Sequence, residues 1–352
     1  MATSKPHSLK TLADYLGLSP ATISVVLNET AGRSIPAATR ERIKAAALKF
    51  NYQPSLVARS LRNQQTHTIG ILVPDLGDGY HTQVMSGSGD YLVHEGYFYF
   101  IAHHRHKPEL VEKYSRLLLG RGAEGILAVD TALVHPLPVP IVAIAGHKHI
   151  TGVTNVVLDH RHAAELALGH LHKLGHRRIA FMRGQPFSSD SHDRWHSTLA
   201  VASELRIEVR PELTVQLDRD LISPELGYPV VQQLLFQRRK FTALLSFNDM
   251  AAIGAIRALQ DANLRVPEDV SVVGFDDIHG AAFHNPSLTT IRQPLRKMGE
   301  VAAEILLSRI REKKEYPENI ALSPELIQRE STGPSKPMRQ RSAKVKKSRY
   351  RE

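Results

Sequence analysis

The sequence predicts an α/β protein: a core of two doubly wound lobes, each built on a parallel sheet, behind a small all-α module at the N-terminus. Three observations carry this. Residues 8–51 contain three short helical stretches with apolar faces set around a tight turn. From Thr68 onward, short apolar runs alternate with amphipathic stretches, the pattern of buried parallel strands and their covering helices. At 352 residues the chain exceeds one ordinary domain.

The N-terminal module reads as a helix-turn-helix. Ser8 to Leu16 forms a first helix with Leu9, Leu12, Ala13 and Leu16 on one face, and Gly17 ends it in the left-handed conformation that glycine adopts without steric cost. Ser19 is an N-cap and Pro20 takes the first helical position, where a missing N–H costs nothing. Ile23, Val26 and Leu27 form the apolar face of this second helix, leaving Pro20, Ala21, Ser24, Val25 and Asn28 on the other side. A short helix with a free face, preceded by another helix, has the shape that enters a DNA major groove. After a loop over 29–36, Thr39 to Asn51 is a third helix, whose Ile43, Ala46, Ala47 and Phe50 close the small core. Tyr52-Gln53-Pro54-Ser55 breaks it. Residues 55–62 are a second short helical candidate, marginal alone and therefore expected to order only against a partner.

In the core, strands are expected at 68–74, 97–102, 125–129, 141–145, 153–158, 178–182, 243–247 and 270–275. Helices are expected at 80–95, 108–120, 160–174, 191–205, 225–237, 249–263 and 295–311, with a last extended segment at 320–327. So many strands require two sheets. The resulting division is 1–53 for the DNA-binding domain, 54–66 for hinge and linker, and 67–333 for the core. The first lobe takes about 67–158 and 292–318, the second about 159–288 and 320–333. A basic tail over 334–352, rich in Lys, Arg, Ser and Pro, is expected to be disordered.

The net charge is +10, and it sits at the two ends: residues 1–66 carry +6, residues 334–352 carry +7, and the body between them −3. A basic end bearing a helix-turn-helix is the electrostatic footprint of a nucleic-acid binder. The absence of cysteine excludes a disulfide framework and any Cys-based metal site. Residues 1–10 lack the apolar core of a signal peptide, and no apolar run is long enough to span a bilayer, which together fit a cytoplasmic protein.

These landmarks resemble, in register over about 1–333, the lac repressor/galactose repressor family of bacterial transcription regulators. The resemblance rests on Leu12-Ala13, Gly17-Leu18-Ser19, Ala21-Thr22-Ile23-Ser24 and Leu27-Asn28, then on Thr39-Arg40-Glu41-Arg42-Ile43. Tyr52-Gln53-Pro54-Ser55 with Ala58-Arg59-Ser60-Leu61 looks like the family's hinge helix. Residues 69–75, 174–180, 248–249, 266–277 and 288–291 look like its core. The resemblance implies a periplasmic-binding-protein-like core with an effector cleft between two lobes, and a homodimer on a near-palindromic operator. The tail has no leucine and no heptad, so no tetramerising helix is expected.

By position in this pattern, Pro20, Ala21 and Val25 face the bases, while Ser19, Thr22, Ser24 and Asn28 serve the cap and the phosphates. The family usually has a polar residue at position 25. Val25 cannot make the bidentate arginine–guanine contact, so it either packs on a thymine methyl or is simply helix surface or core. Arg33, in a slightly long loop, is a candidate to supply a contact that Val25 does not. Leu61 corresponds to the leucine the family wedges into a minor-groove step, flanked by Ala58 and Arg62; the plainer reading is packing within a linker helix.

In the cleft, the resemblance assigns Asp276, Arg194 and Asn248 as the polar groups that hold the effector, a small molecule whose sugar hydroxyls or purine edge they would fix, with a sugar favoured. Asp276 follows a buried strand at its carboxyl end, where open α/β sheets bind ligands; helix capping is a compatible alternative. Tyr80, His81, Trp195 and Phe247 are candidate walls or core residues. Two departures bear on the ligand face of the first lobe: Asp78-Gly79-Tyr80 replaces the family's usual Asn-Pro-aromatic turn, and Thr131–Pro140 leaves no room for the helix normally found there, so this lobe is expected to be trimmed. No metal site is expected. His192 and His196 have a spacing that can hold one but no completing ligand, and the cluster His103, His104 and His106 reads as titrating surface histidine.

The leading function is thus an effector-controlled repressor. A solute-binding protein of a transport system shares the core fold but needs no DNA reader. An enzyme on this scaffold would need a phosphate loop, a Gly-x-Ser-x-Gly elbow or a catalytic cysteine, none of which the sequence contains.

Overall fold

The computed structural model describes residues 8–28, 34–52, 65–77, 79–133, 135–146, 150–218 and 223–336. The chain divides into two compact units between His67 and Thr68.

The first unit is three helices, α1 (Leu9–Leu16), α2 (Pro20–Leu27) and α3 (Ala37–Lys49). Ser8 caps α1 by accepting the Thr11 N–H, and Gly17 closes it at φ 64° with its N–H on the Ala13 carbonyl. That left-handed turn lets α2 start within three residues, so Leu12 and Ala13 pack on Ile23 and Val26, with Ile43, Ala46 and Ala47 as the lid. The third helix begins at Ala37, two residues before the expected start, directly after Pro36. The expected hinge segment 55–62 and the tail from 337 lie outside the described residues.

In the second unit the chain runs β1 (Thr68–Val73), α4 (Tyr80–His94), β2 (Phe98–His103), α5 (Pro108–Gly120), β3 (Gly125–Val129), β4 (Ile141–Ile144) and β5 (Thr154–Leu158). It continues α6 (His160–Lys173), β6 (Ile179–Arg183), α7 (Ser191–Glu204), β7 (Thr214–Gln216), α8 (Tyr228–Phe236), β8 (Ala243–Leu245) and α9 (Asp249–Asp261). It ends β9 (Ser271–Asp276), α10 (His279–Phe283), β10 (Thr289–Arg292), α11 (Leu295–Glu312), β11 (Asn319–Leu322) and β12 (Glu325–Ile327).

Two six-stranded sheets result, ordered β11-β5-β4-β3-β1-β2 and β12-β10-β9-β8-β6-β7. All pairings are parallel except β10 with β12. The central strands β1, β3, β4 and β9 are buried throughout, which is why they read as uninterrupted apolar runs. Helix α11 belongs to the first lobe: Leu295, Met298, Ala302, Ile305 and Leu306 join the core of the first sheet. It crosses α4 where Gly87 faces the Arg296 backbone and Gly299 the Val84 backbone, and a Cβ on either glycine would collide with the other helix's backbone. Ser88 Oγ fixes the crossing by donating to the Gly299 carbonyl at 3.0 Å.

Two details differ from the sequence reading. Residues 320–327 are not one segment of the second lobe: β11 pairs with β5 in the first sheet and only β12 reaches the second. Ser323-Pro324 separates them, and a proline cannot continue a ladder. The edge strand β7 went unpredicted because Thr-Val-Gln is too short to make an apolar run. No helix occurs among the described residues of 131–140, so the first lobe is trimmed as expected.

Candidate DNA-reading helix and inter-lobe cleft

The outer face of α2 is polar only in appearance. Ser19 Oγ accepts the Thr22 N–H at 3.1 Å and lies 2.9 Å from Thr22 Oγ1. Asn28 Nδ2 donates to the Ser24 carbonyl at 2.8 Å and to Ser24 Oγ at 3.1 Å. The four polar groups therefore hold the helix ends. Pro20 and Ala21 are exposed; Val25 is half-buried and takes no part in the apolar cluster of the unit. Arg40 and Arg42 donate to the backbone at Ile35 and Leu16, which ties the basic side of α3 to the turn regions. Arg33, Ala58, Leu61 and Arg62 lie outside the described residues.

The second unit has a cavity between its two sheets, at the carboxyl ends of their strands. Tyr80, His81, Arg194, Phe247, Asn248 and Asp276, all singled out from sequence, line it. Trp195 does not. Consecutive helix residues point about 100° apart. Since α7 turns Arg194 toward the cleft, Trp195 is turned away, edge-on to Phe181 at 6.0 Å and under the Arg183 guanidinium at 5.1 Å.

Arg194 is the best anchored of these groups. It donates to the Phe247 carbonyl at 2.7 Å and to Asp190, one turn earlier. Its guanidinium lies over the rings of Phe275 at 3.9 Å and Phe247 at 4.4 Å. Asn248 caps α9 by accepting the Ala251 N–H at 2.9 Å. Asp276, at the end of β9, has φ 113°, a left-handed value rare for a side-chain-bearing residue. Its Oδ1 accepts from Gln293 Nε2 at 2.7 Å. Burial pushes this carboxyl well above the ordinary range, with Arg194 opposing and Asp249 and Asp190 reinforcing. Behind it, buried Asp249 is pushed up to about 7 by desolvation, although Thr290 Oγ1 and the Ile278 N–H donate to it. Tyr80 is raised as well, first by burial and then by the carboxylates Asp190, Asp130 and Asp276; its hydroxyl has no hydrogen-bond partner among the described residues.

Two carboxylates escaped the sequence reading. Asp130 follows β3, with His81 Nε2 3.5 Å away. It accepts the Ser189 N–H at 3.0 Å and the Ser189 hydroxyl at 2.6 Å, from the opposite lobe. Asp190 stands just before α7. Both were legible by position, since residues after the carboxyl end of a strand and before the next helix are where such folds hold ligands. His106 and Phe187 meet across the same opening, with rings 4.6 Å apart.

The histidine cluster after β2 is not uniformly a surface feature. His104 is 2% exposed and its Nε2 lies 2.8 Å from Thr131 Oγ1. Burial lowers its pKa to about 4, with the neighbouring His106 adding to the effect. The apolar floor beneath β2 takes the imidazole in because Thr131 offers it a partner.

Comparison with known proteins agrees with this geometry. Residues 8–55 match the family described as bacterial regulatory proteins, lacI family, and residues 168–332 match a periplasmic binding protein-like domain. The chain is 32% identical over 336 residues to the HTH-type transcriptional repressor PurR of Haemophilus influenzae, covering 92% of this chain and 98% of that one. It is 33% identical over 333 residues to the PurR of Erwinia tasmaniensis, covering 92% and 96%. Among solved structures, the lac repressor dimer bound to operator and the anti-inducer ONPF superposes with TM-score 0.83 at 27% identity, over 94% of this chain and all of that one. The regulator CelR in complex with cellobiose superposes with TM-score 0.69 at 26% identity, over 92% and 99%. A match that begins at residue 8 and spans the DNA reader sets aside the transport solute-binding alternative.

Proposed function

The chain belongs to the lacI family of bacterial regulatory proteins, and from that premise we propose that it represses transcription under the control of a small molecule held between its lobes. The observation that carries this is the cavity where Arg194, Asp276 and Asn248 converge on aromatic walls, in a chain whose N-terminal unit is a helix-turn-helix. A carboxylate, a guanidinium and aromatic faces together suit a small polar ring such as a sugar. A repressor of this kind acts where the DNA is, in the cytoplasm.

The DNA partner is a near-palindromic operator, matched by the two-fold symmetry of a homodimer. The face offered for the second copy is the edge of the first sheet. Phe98, Phe100 and Ile101 on β2 are 60%, 37% and 44% exposed, and Leu117 on α5 is 43% exposed. An apolar edge strand left open is an aggregation hazard unless another chain covers it.

At the DNA, α2 presents few free hydrogen-bonding groups, so base reading falls to Pro20, Ala21 and Val25 through methyl contacts, helped by Arg33. Ser19, Thr22, Ser24 and Asn28 fix the helix against the phosphates. Leu61, flanked by Ala58 and Arg62, unstacks a central minor-groove step. The effector alters the closure of the two lobes. In the dimer, that closure sets whether both DNA-reading units engage together, which requires different effector affinities in the two states. Deletion of residues 1–62 tests the reading: it abolishes sequence-specific DNA binding and leaves small-molecule binding intact. Operator affinity that survives the deletion would overturn it.

A further inference from the structure

Three carboxylates face the inter-lobe cavity, and they are not equally matched. Asp190 is paired with Arg194 and accepts the Ser188 hydroxyl at 3.1 Å. Asp130 has both donors of Ser189 and His81 3.5 Å away. Asp276 has one neutral donor, Gln293, on one oxygen, and its other oxygen has no hydrogen-bonding partner among the described residues. It is nevertheless only 7% exposed. The Tyr80 hydroxyl, buried and without a partner among the described residues, lines the same space.

Arg194 is already engaged by the protein: one N–H of each terminal nitrogen is directed to the Phe247 carbonyl and to Asp190, and its faces are covered by Phe247 and Phe275. A phosphorylated ligand would also bring negative charge into a cavity lined by three carboxylates.

We propose that the effector carries a cationic amine that sits against Asp276. The inference rests on the cleft being the effector site and concerns only what it accepts. A hydroxyl could donate to the open oxygen of Asp276 but would add no positive charge to a cavity lined by three carboxylates against the one guanidinium of Arg194. An ammonium group supplies donor and charge together, and a second N–H meets the Tyr80 hydroxyl as acceptor. Tyr80 and Phe187 also line the cavity, and aromatic faces attract a cation. The cavity, about 90 Å³, suits a small amine such as an amino sugar or a short diamine.

Calorimetry and thermal shift on the full chain at neutral pH test this with matched probes. The pairs are glucosamine and glucose, galactosamine and galactose, putrescine and 1,4-butanediol, with N-acetylglucosamine and glucose 6-phosphate as controls. The expected result is saturable binding by at least one amine, at least tenfold tighter than its neutral partner. Acetylation abolishes the preference, the phosphate does not bind, and D276N, which keeps shape and tolerates the same backbone, also removes the preference. Equal or tighter binding of a neutral or phosphorylated probe overturns the proposal, as does the absence of saturable binding by every amine or an amine preference that survives D276N. Should D276N fail to fold, the acetylated control decides on the unaltered chain. The two readings fail separately: a neutral sugar that alters operator affinity overturns the amine and keeps the effector site, whereas an amine that binds without altering operator affinity does the reverse.

Discussion

Asp130 and Ser189 join the two lobes: the carboxylate at the end of β3 accepts both the backbone N–H and the hydroxyl of a residue in the loop before α7. The Ser189 hydroxyl also lies against the Ala145 carbonyl, at the end of β4. The two lobes therefore touch through protein groups beside the cavity that a ligand would fill.

Ser189→Ala removes the hydroxyl from this contact and keeps the N–H. A hydrogen bond to a charged group contributes roughly 1.5–3 kcal/mol. Amide exchange over residues 185–190 should accelerate, and ligand affinity should fall about tenfold because the closed form is less populated. Exchange identical to that of the parent would show that the contact does not hold the lobes.

Arg194→Met should be severe, since it takes the guanidinium away from buried Asp190. Breaking one partner of a buried pair costs about 3–5 kcal/mol, readable as a lowered urea midpoint. The double substitution Arg194→Met with Asp190→Asn should recover much of the loss. A double variant as unstable as the single one would locate the damage in the lost stacking on Phe247 and Phe275.

His104 makes stability depend on acid. Its folded pKa of about 4 lies below the ordinary histidine value of 6.5, so between these values the unfolded chain binds more protons. Its contribution is complete above pH 6.5 and is lost as pH falls toward 4. Asp249, raised by burial, works in the opposite direction, so the parent's own profile mixes the two. The difference between the parent and His104→Gln isolates the histidine. It should shift against the parent by about 1–2 kcal/mol between pH 7 and pH 5, and a constant difference would contradict the assignment.

Ile101→Glu places a charge on the exposed edge strand. Sedimentation should show a monomer where the parent is a dimer, with operator affinity falling at least tenfold because half-sites are no longer engaged together. A dimer of unchanged stability would move the interface elsewhere.

Much of this architecture was legible in the sequence because its signals are local. Ser8, Gly17, Ser19 and Pro20 mark helix ends by capping chemistry, and buried parallel strands such as β1 and β9 announce themselves as unbroken apolar runs. What escaped depends on tertiary direction. Arg194 and Trp195 are neighbours in sequence, and only the packing of α7 decides which enters the cleft. Asp130 and Asp190 acquire meaning from partners on other elements, Ser189 and Arg194, and His104 from a threonine 27 residues away. The lobe change at Ser323-Pro324 was hidden because two short strands of different sheets share one apolar stretch.

The central claim is that occupancy of the cleft sets affinity for DNA. Its most direct test selects an operator from a random DNA pool at fixed salt, then titrates the full chain onto it with and without a ligand found by thermal shift. The account predicts an affinity change of at least fivefold that disappears in Asp276→Asn. Operator affinity unaffected by a ligand that saturates the cleft would contradict it.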